Sequence, residues 1–205
     1  MTTRYELATL SVGLGAAPKV LPGLQAYLSD PAAGGELLGC WTSDIGALNR
    51  IAVLRAFRDD ADLARERERT LRSSNPFGAA EHLTRLSLDS YAPFPGLPPV
   101  ETGAFGPVYE IRSYVLKPGG LAPTFEGWAE SLPGRTELSR LVVAMYALDG
   151  VPRITHIWPY ASTDERAAVR ADAVARGVWP PKSAVWLTPE MQSTIYLPAG
   201  FSPLR

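Results

Sequence analysis

An internal repeat restricts the fold of this chain more than any other feature of its sequence. Three separated pairs of segments match at a shift of 103 or 104 residues. The pairs are Tyr5-Glu6-Leu7 with Tyr109-Glu110-Ile111, Leu48-Asn49-Arg50-Ile51 with Val151-Pro152-Arg153-Ile154, and Leu83-Thr84 with Leu187-Thr188. Chance can produce one such match, but three in register indicate two copies of one structural unit.

The shift divides the 205 residues into two units and a connection. We assign residues 1–92 to the first unit and residues 108–205 to the second. Residues 93–107 contain a dense run of proline and glycine, which interrupt regular structure, so they predict a fairly stiff linker. Each unit is long enough for a small domain of about 100 residues.

Both copies show the same order of strand and helix signals. The second copy predicts strands at 109–116, 138–148, 153–158 and 191–197, with helices along 125–132 and 162–176. Pro133-Gly134 is expected to end the first helix, and Ser162 with Glu165 forms a capping box that begins the second. Asp149-Gly150 predicts a tight hairpin turn. The first copy repeats this order more faintly, with strands at 5–12, 48–57 and 83–91 and another that ends near Trp41.

The order β-α-β-β-α-β is that of the ferredoxin-like fold, an α+β arrangement with both helices on one face of an antiparallel sheet. The other face of such a sheet needs a cover. Two tandem ferredoxin-like units can cover each other, sheet against sheet, as a pseudo-dimeric α/β barrel. If the linker instead holds the units apart, a homodimer has to supply the cover.

Charge and composition exclude several classes of function. The net charge is −1, which gives no electrostatic footprint for nucleic acid. Apolar stretches are too short to span a membrane, and the residues from Met1 to Glu6 lack the apolar region of a signal peptide, so we expect a cytoplasmic protein with no membrane partner. Cys40 is a lone cysteine and no Cys/His cluster has zinc spacing, so we predict no metal and no cofactor.

The second copy resembles the NIPSNAP family along nearly its whole length. The resemblance rests on the unit start, the third strand, the helix after it and the segment before the last strand. These segments are Tyr109-Glu110-Ile111-Arg112-Ser113-Tyr114, Ile154-Thr155-His156-Ile157-Trp158-Pro159-Tyr160, Asp164-Glu165-Arg166 with Arg170, and Trp179-Pro180-Pro181. It implies a place in the dimeric α/β-barrel superfamily, whose members include small-substrate monooxygenases, haem enzymes and polyketide-modifying enzymes. The family itself has no generally established chemistry, and a fold does not define a function.

His156 is the candidate catalytic residue. It is one of two histidines in the chain and its imidazole titrates near neutral pH. Because residues two apart on a strand share a face, His156 is expected to lie beside Trp158, in an aromatic pocket where it acts as a base or a polar anchor. The alternative is a structural histidine that is hydrogen-bonded on a sheet face. We expect His156 to line an enclosed cavity; an axial haem ligand is a weaker hypothesis for the same side chain.

The candidate ligand contacts are Glu110, Arg112, Tyr114, Trp158, Trp179 and Arg55. The first three share one face of a strand. If this face looks into the barrel, Glu110 and Arg112 must have partners of opposite charge, because unpaired buried charge is costly. The opposite face, with Tyr109 and Ile111, suits the helices. The alternative for Glu110 and Arg112 is that they face solvent. The alternative for Trp179 is that it only fills a barrel end.

Arg153 and its counterpart Arg50 begin the third strands. They either bind a carboxylate ligand or form a salt bridge near the hairpin, and the second alternative is the ordinary one. Taken together, the sequence predicts that the barrel binds a small hydrophobic or aromatic molecule, as a cofactor-free enzyme with His156 as acid or base. The alternative is a structural or protein-interaction module without activity. The first copy lacks counterparts of His156 and Trp158, so we expect it mainly to complete the barrel.

Overall fold

The computed structural model describes residues 3–205; Met1 and Thr2, which belong to the predicted first unit and to the N-terminal segment discussed above, lie outside the described residues. Within this range the chain forms eight strands and four α-helices. The strands are β1 (Arg4–Val12), β2 (Glu36–Ile45), β3 (Arg50–Phe57), β4 (Leu83–Pro93), β5 (Val108–Leu116), β6 (Val143–Ala147), β7 (Arg153–Tyr160) and β8 (Leu187–Pro198). The α-helices are α1 (Ala17–Leu28), α2 (Asp60–Arg72), α3 (Leu121–Thr136) and α4 (Thr163–Ala175). The predicted order β-α-β-β-α-β therefore occurs twice.

The eight strands form one closed antiparallel barrel in the order β1-β3-β2-β8-β5-β7-β6-β4. Each unit contributes four neighbouring strands in the same relative order. The units join at two seams, where Trp41 of β2 pairs with Pro198 of β8 and Tyr91 of β4 pairs with Ala147 of β6. The barrel thus closes within a single chain, which confirms the pseudo-dimeric α/β barrel.

Both faces of the barrel wall are buried. Inside the barrel, apolar side chains from both units pack into one cluster that includes Leu7, Trp41, Tyr109 and Ile157. On the outside, α1 covers a separate cluster in the first unit, and α3 covers another around Trp158 in the second. The molecule therefore has three cores, one in the barrel interior and one under each pair of helices.

The sequence-based assignment of the two faces of β5 is wrong. Tyr109 and Ile111 lie in the interior cluster, so Glu110, Arg112 and Tyr114 face the helices instead of the barrel interior. Alternation along a strand tells which residues share a face but not which face is inside. Because both faces are covered here, the more apolar one did not have to face the helices.

Several predicted boundaries in the second unit are also wrong, among them the start of the last strand, which begins at Leu187 and not at residue 191. Helix α3 continues past Pro133 to Thr136, and strand β6 begins at Val143 and not at residue 138. The last turn of α3 is held by Arg135, which is buried and donates to Ser139 Oγ over 2.7 Å. Thr136 Oγ1 also donates to the carbonyl of Leu132 over 2.8 Å, so polar groups near the proline keep partners.

The start of α4 follows the capping signal in the sequence. Ser162 is the N-cap, and its Oγ accepts from the backbone N–H of Glu165 over 3.0 Å. Asp59 caps α2 in the same way by accepting from the N–H of Asp62 over 2.8 Å. These caps place both helices at equivalent positions on the outer wall. In the part of the chain that the structure describes, no helix is long and apolar enough to cross a membrane.

Candidate functional site

The barrel interior is packed at one end and open at the other. Trp41 and Tyr109 fill the packed half, with ring centroids 5.3 Å apart, and Leu204 of the C-terminal segment is buried against them. The other half contains a cavity of about 530 Å³ between the ends of the strands. We call this space the lumen cavity. Its volume lies in the range of small-molecule sites.

Polar side chains from both units line the lumen cavity. Hydroxyl and amide groups come from β1, β4, β5 and β8. They belong to Thr9, Ser11, Ser87, Tyr91, Ser113, Gln192, Thr194 and Tyr196. The charged residues in the lining are Arg50, Arg85, Asp89, Arg153 and Glu190. The lining therefore combines a slight excess of positive charge with many uncharged hydrogen-bonding groups.

A chain of hydroxyl groups crosses the inner wall of the barrel. Ser113 Oγ and Thr155 Oγ1 are 2.7 Å apart, and Thr155 Oγ1 donates to Tyr91 Oη over 3.1 Å. Burial raises the pKa of Tyr91, which keeps its phenol protonated at neutral pH. These neighbouring groups can pass a polarising interaction from one to the next, and they form a hydrogen-bonding surface inside the barrel.

The three arginines of the lumen cavity differ in their pairing. Arg153 is 2.9 Å from Asp89 and 3.4 Å from Asp149, so the salt bridge expected near the hairpin is present. Among residues 3–205, Arg50 and Arg85 form no ion pair. Arg50 is half-buried and Arg85 is exposed at the rim, so their charge is available to a ligand.

All the residues predicted as a site except Arg55 lie together, but on the outer wall of the barrel under the helices of the second unit. His156 pairs in register with Arg112 across β5 and β7, and its ring is 5.2 Å from that of Tyr114. Trp158 lies next to His156 on the same face. Trp179 packs on Trp158 with a centroid distance of 6.0 Å, so it fills the helix side and not a barrel end.

His156 has the environment of a structural histidine. It is 2% exposed and makes edge-to-face contacts with the rings of Tyr114, Trp128 and Trp158. Burial, followed by the charge of Arg112, lowers the pKa of His156 to about 3. His156 does not line the lumen cavity, and its expected place in the wall of an enclosed cavity stays a prediction. A ring enclosed in this way does not fit an axial haem ligand, which needs an open side.

Glu110 is the centre of a charged cluster on the same outer wall. Its Oε1 accepts from Arg112, from Arg166 over 2.5 Å and from Ser193 over 2.6 Å. Burial alone would raise the pKa of Glu110, but these donors outweigh it and hold the pKa at about 2. Glu110 is therefore ionised at neutral pH, and Arg112 is held by the carboxylate.

Arg55 lies in the first unit, far from this cluster, and has only buried protein partners. Its guanidinium donates to Glu6 and to Glu66, each over 2.5 Å, and all three side chains are buried. Two carboxylates already take the charge of Arg55. Its contacts are those of an internal ion pair and give no support to the predicted ligand contact.

A family model for NIPSNAP matches the chain twice, over residues 5–82 and 109–203. The chain belongs to the NIPSNAP family. The two matches correspond to the two halves of the barrel, so each half is a NIPSNAP unit. The first match ends at residue 82, before β4, whereas the second extends through β8.

The similar proteins include NIPSNAP relatives of very different length. A NipSnap protein of Caenorhabditis elegans is 35% identical over 101 residues, which cover 48% of this chain but only 19% of the relative. The NipSnap homolog of Dictyostelium discoideum is 26% identical over 181 residues, 87% of this chain and 78% of the relative. A crystal structure of an anthrone oxidase-like protein matches 99% of this chain and 94% of its own with a TM-score of 0.67. At 14% identity this likeness shows the fold alone.

The segments that carry the NIPSNAP resemblance lie mainly on the outer wall, whereas the lumen cavity is lined mostly by other residues. Arg85, Ser87 and Asp89 alternate with Leu86 and Leu88 along β4, a period of two that marks one polar and one apolar face. This signal was readable in the sequence. Barrel closure decides which residues of β5 and β8 lie opposite Arg85. The full lining of the lumen cavity therefore could not be predicted from the alternation along single strands.

Proposed function

We propose that this NIPSNAP protein binds a small anionic molecule in the lumen cavity. The observation that carries the proposal is the pairing state of the arginines in the lining. Arg153 is neutralised by Asp89, whereas Arg50 and Arg85 have no acidic partner in the described chain. Glu190 at the rim offsets one of these two positive charges, which leaves the site with a net attraction for an anion.

The hydroxyl groups inside the barrel support the same proposal. A barrel interior is most stable when apolar side chains fill it, as they do around Trp41 and Tyr109. Ser11, Ser87 and Ser113 face inward at positions where larger apolar residues would close the space. Their small polar side chains leave space for a ligand and can form hydrogen bonds with it.

The ligand class proposed here differs from the hydrophobic molecule predicted from the sequence. A carboxylate would bind to Arg50 and Arg85, whose guanidinium groups match the two carboxylate oxygens. The body of the ligand would contact Leu7 and Ile111 on one side and the hydroxyl groups on the other. We assign no reaction to the site, and the role of His156 as an acid or base stays a prediction.

The cytoplasmic location and the homodimer also stay predictions. The barrel is complete within one chain, so a homodimer is not needed to close it. Cell fractionation tests the location, and light scattering of the purified chain tests the oligomeric state. The alternative to a small ligand stays a structural or protein-interaction module without activity.

The experiment compares aryl and alkyl carboxylates with their uncharged primary amides in a thermal-shift assay. We expect the carboxylates to raise the melting temperature and the amides to have little effect. Arg50→Gln combined with Arg85→Gln should remove the response. Arg58→Gln is the matched control, because Arg58 is a surface arginine on α2's side of the barrel with 74% side-chain exposure. If no carboxylate stabilises the chain, or if the double variant responds as the wild type does, the lumen proposal is wrong.

A further inference from the structure

The two NIPSNAP units carry the same buried glutamate but compensate it differently. Glu6 of the first unit and Glu110 of the second stand at equivalent positions, and both are fully buried. An equivalent arginine lies 3.9 Å from Oε2 of each carboxylate, Arg67 in the first unit and Arg170 in the second. This match makes the first unit an internal reference for the second.

In the first unit every charge of this cluster has a partner. Arg55 donates to Glu6 and Glu66, and Arg69 donates to Glu66 over 2.7 Å. Arg67 lies 3.3 Å from Asp149 and donates to the carbonyl of Leu88 over 2.5 Å. The three arginines thus face three carboxylates, and the cluster is electrically balanced.

In the second unit three arginines share one carboxylate. Arg112 and Arg166 both donate to Oε1 of Glu110. The guanidinium of Arg170 donates no hydrogen bond to another residue in the range 3–205, and its one acidic neighbour is Glu110 at 3.9 Å. The cluster therefore carries two uncompensated positive charges, and the arginine that is held in the first unit is free in the second.

Both clusters contain buried polar atoms without a hydrogen-bond partner among the described residues; in the first unit they are Nε of Arg55, Nε of Arg67 and Oε2 of Glu6. Nε of Arg166 is buried without a hydrogen-bond partner among the described residues. Nε2 of the adjacent His156 is also buried without one, and it carries a proton because Nδ1 accepts from Trp158 over 2.6 Å. Buried donors normally have an acceptor, but such atoms are common to both units. The difference between the units is the guanidinium of Arg170, whose donors have no acceptor within hydrogen-bond distance among residues 3–205. Glu110 Oε2 is the one unsatisfied acceptor of the cluster.

Solvent can reach the cluster from outside. The side chains of Arg112, Arg166 and Arg170 are 14%, 26% and 36% exposed, and Ser193 at its edge is exposed. We propose that the outer wall of the second unit binds a phosphate group between Arg112, Arg166 and Arg170. A phosphate dianion matches the two uncompensated charges, and its oxygens suit several guanidinium donors at once. This site lies on the other side of the sheet from the lumen cavity and does not depend on the function proposed there.

The test titrates the full chain with inorganic phosphate by calorimetry, at constant ionic strength set with sodium chloride. We expect binding that weakens about tenfold or more in Arg170→Gln, the loss of one charged contact worth about 1.4 kcal/mol. The matched control is Arg67→Gln, the equivalent change in the first unit, which should bind phosphate as the wild type does. Arg170→Gln removes only a 3.9 Å contact to Glu110, so the variant is expected to fold, and circular dichroism checks it.

Three outcomes overturn the proposal. If the heat released on adding phosphate equals the heat released on adding chloride, the anions only screen the charge of the protein and do not bind. Equal weakening in Arg67→Gln and Arg170→Gln shows that the excess charge of the second unit has no role. Loss of phosphate binding in Arg50→Gln with Arg85→Gln, but not in Arg170→Gln, places the anion in the lumen cavity. Phenyl phosphate is titrated in parallel. If it binds more tightly than inorganic phosphate, the site recognises the phosphoryl group of a larger molecule and not the free ion.

Discussion

The indole N–H of Trp158 donates to Nδ1 of His156 over 2.6 Å, and both side chains are buried. This bond is available only when Nδ1 is unprotonated, so it selects the neutral imidazole with its proton on Nε2. Burial opposes the charged form as well. His156 is consequently neutral over the whole physiological pH range.

The stability of the chain should therefore fall on mild acidification. The pKa of His156 is lowered to about 3 in the fold, against 6.5 in an unfolded chain, so below pH 6.5 the unfolded state binds a proton that the fold excludes. The free energy of unfolding should drop by about 1.4 kcal/mol per pH unit between pH 6 and 5. Urea unfolding at several pH values measures this, with His156→Gln as the variant that cannot titrate. An identical slope in both proteins would contradict the assignment.

Removing the buried cation of the first unit should be far more costly than removing a surface one. Arg55→Met leaves Glu6 and Glu66 buried without their shared partner, which should lower the free energy of unfolding by about 3–5 kcal/mol. Arg72→Met is the control, since its pair with Glu68 is exposed and worth less than about 1 kcal/mol. Chemical denaturation of both variants provides the comparison. Similar losses of unfolding free energy in the two variants would mean that Arg55 does not stabilise the fold through a buried ion pair.

A single methyl group should disturb the packing of α3. A Cβ on Gly127 would lie 2.6 Å from Oγ and 3.0 Å from the backbone N of Ser183, in the short turn Lys182–Trp186. Gly127→Ala should destabilise the chain by about 1–3 kcal/mol, despite the better helix propensity of alanine. Gly13→Ala has open space around the added atom and should be nearly neutral. Thermal unfolding distinguishes the two, and a stabilised Gly127→Ala would show that the turn yields easily.

The hydroxyl chain inside the barrel should contribute to stability as well as to the lumen surface. Thr155→Val keeps the shape of the side chain but leaves Ser113 Oγ and Tyr91 Oη without their shared partner, at a cost of about 1–3 kcal/mol. Thr84→Val is the control, because the hydroxyl of Thr84 is exposed and can bond to water instead. Denaturant titration measures both. Equal losses of stability in the two variants would show that the buried hydroxyl groups contribute no more than a hydrogen bond at the surface.

Several features of this fold are local, and the sequence by itself determined them. The repeat predicted two units and the barrel, because each unit leaves one sheet face uncovered. Ser162 with Glu165 predicted the start of α4, and Asp149-Gly150 predicted the β6–β7 hairpin, since caps and tight turns depend on residues a few positions apart. The shared face of His156 and Trp158 also followed from the period of the strand.

Only the tertiary structure decided which face looks inward and which charges find partners. Tyr109 faces the interior because β5 joins a closed barrel whose seams pair β2 with β8 and β4 with β6, contacts between distant parts of the chain. Arg50 and Arg85 both pair in register with Ser11 of β1, so they flank it within the first unit, and barrel closure adds residues of β5 and β8 to the same cavity. Arg67 gains Asp149 from the other unit, whereas Arg170 gains no such partner between Thr3 and the last residue, Arg205. Burial and charge balance are sums over neighbours in space, so a sequence can name these residues but cannot say which of them meet.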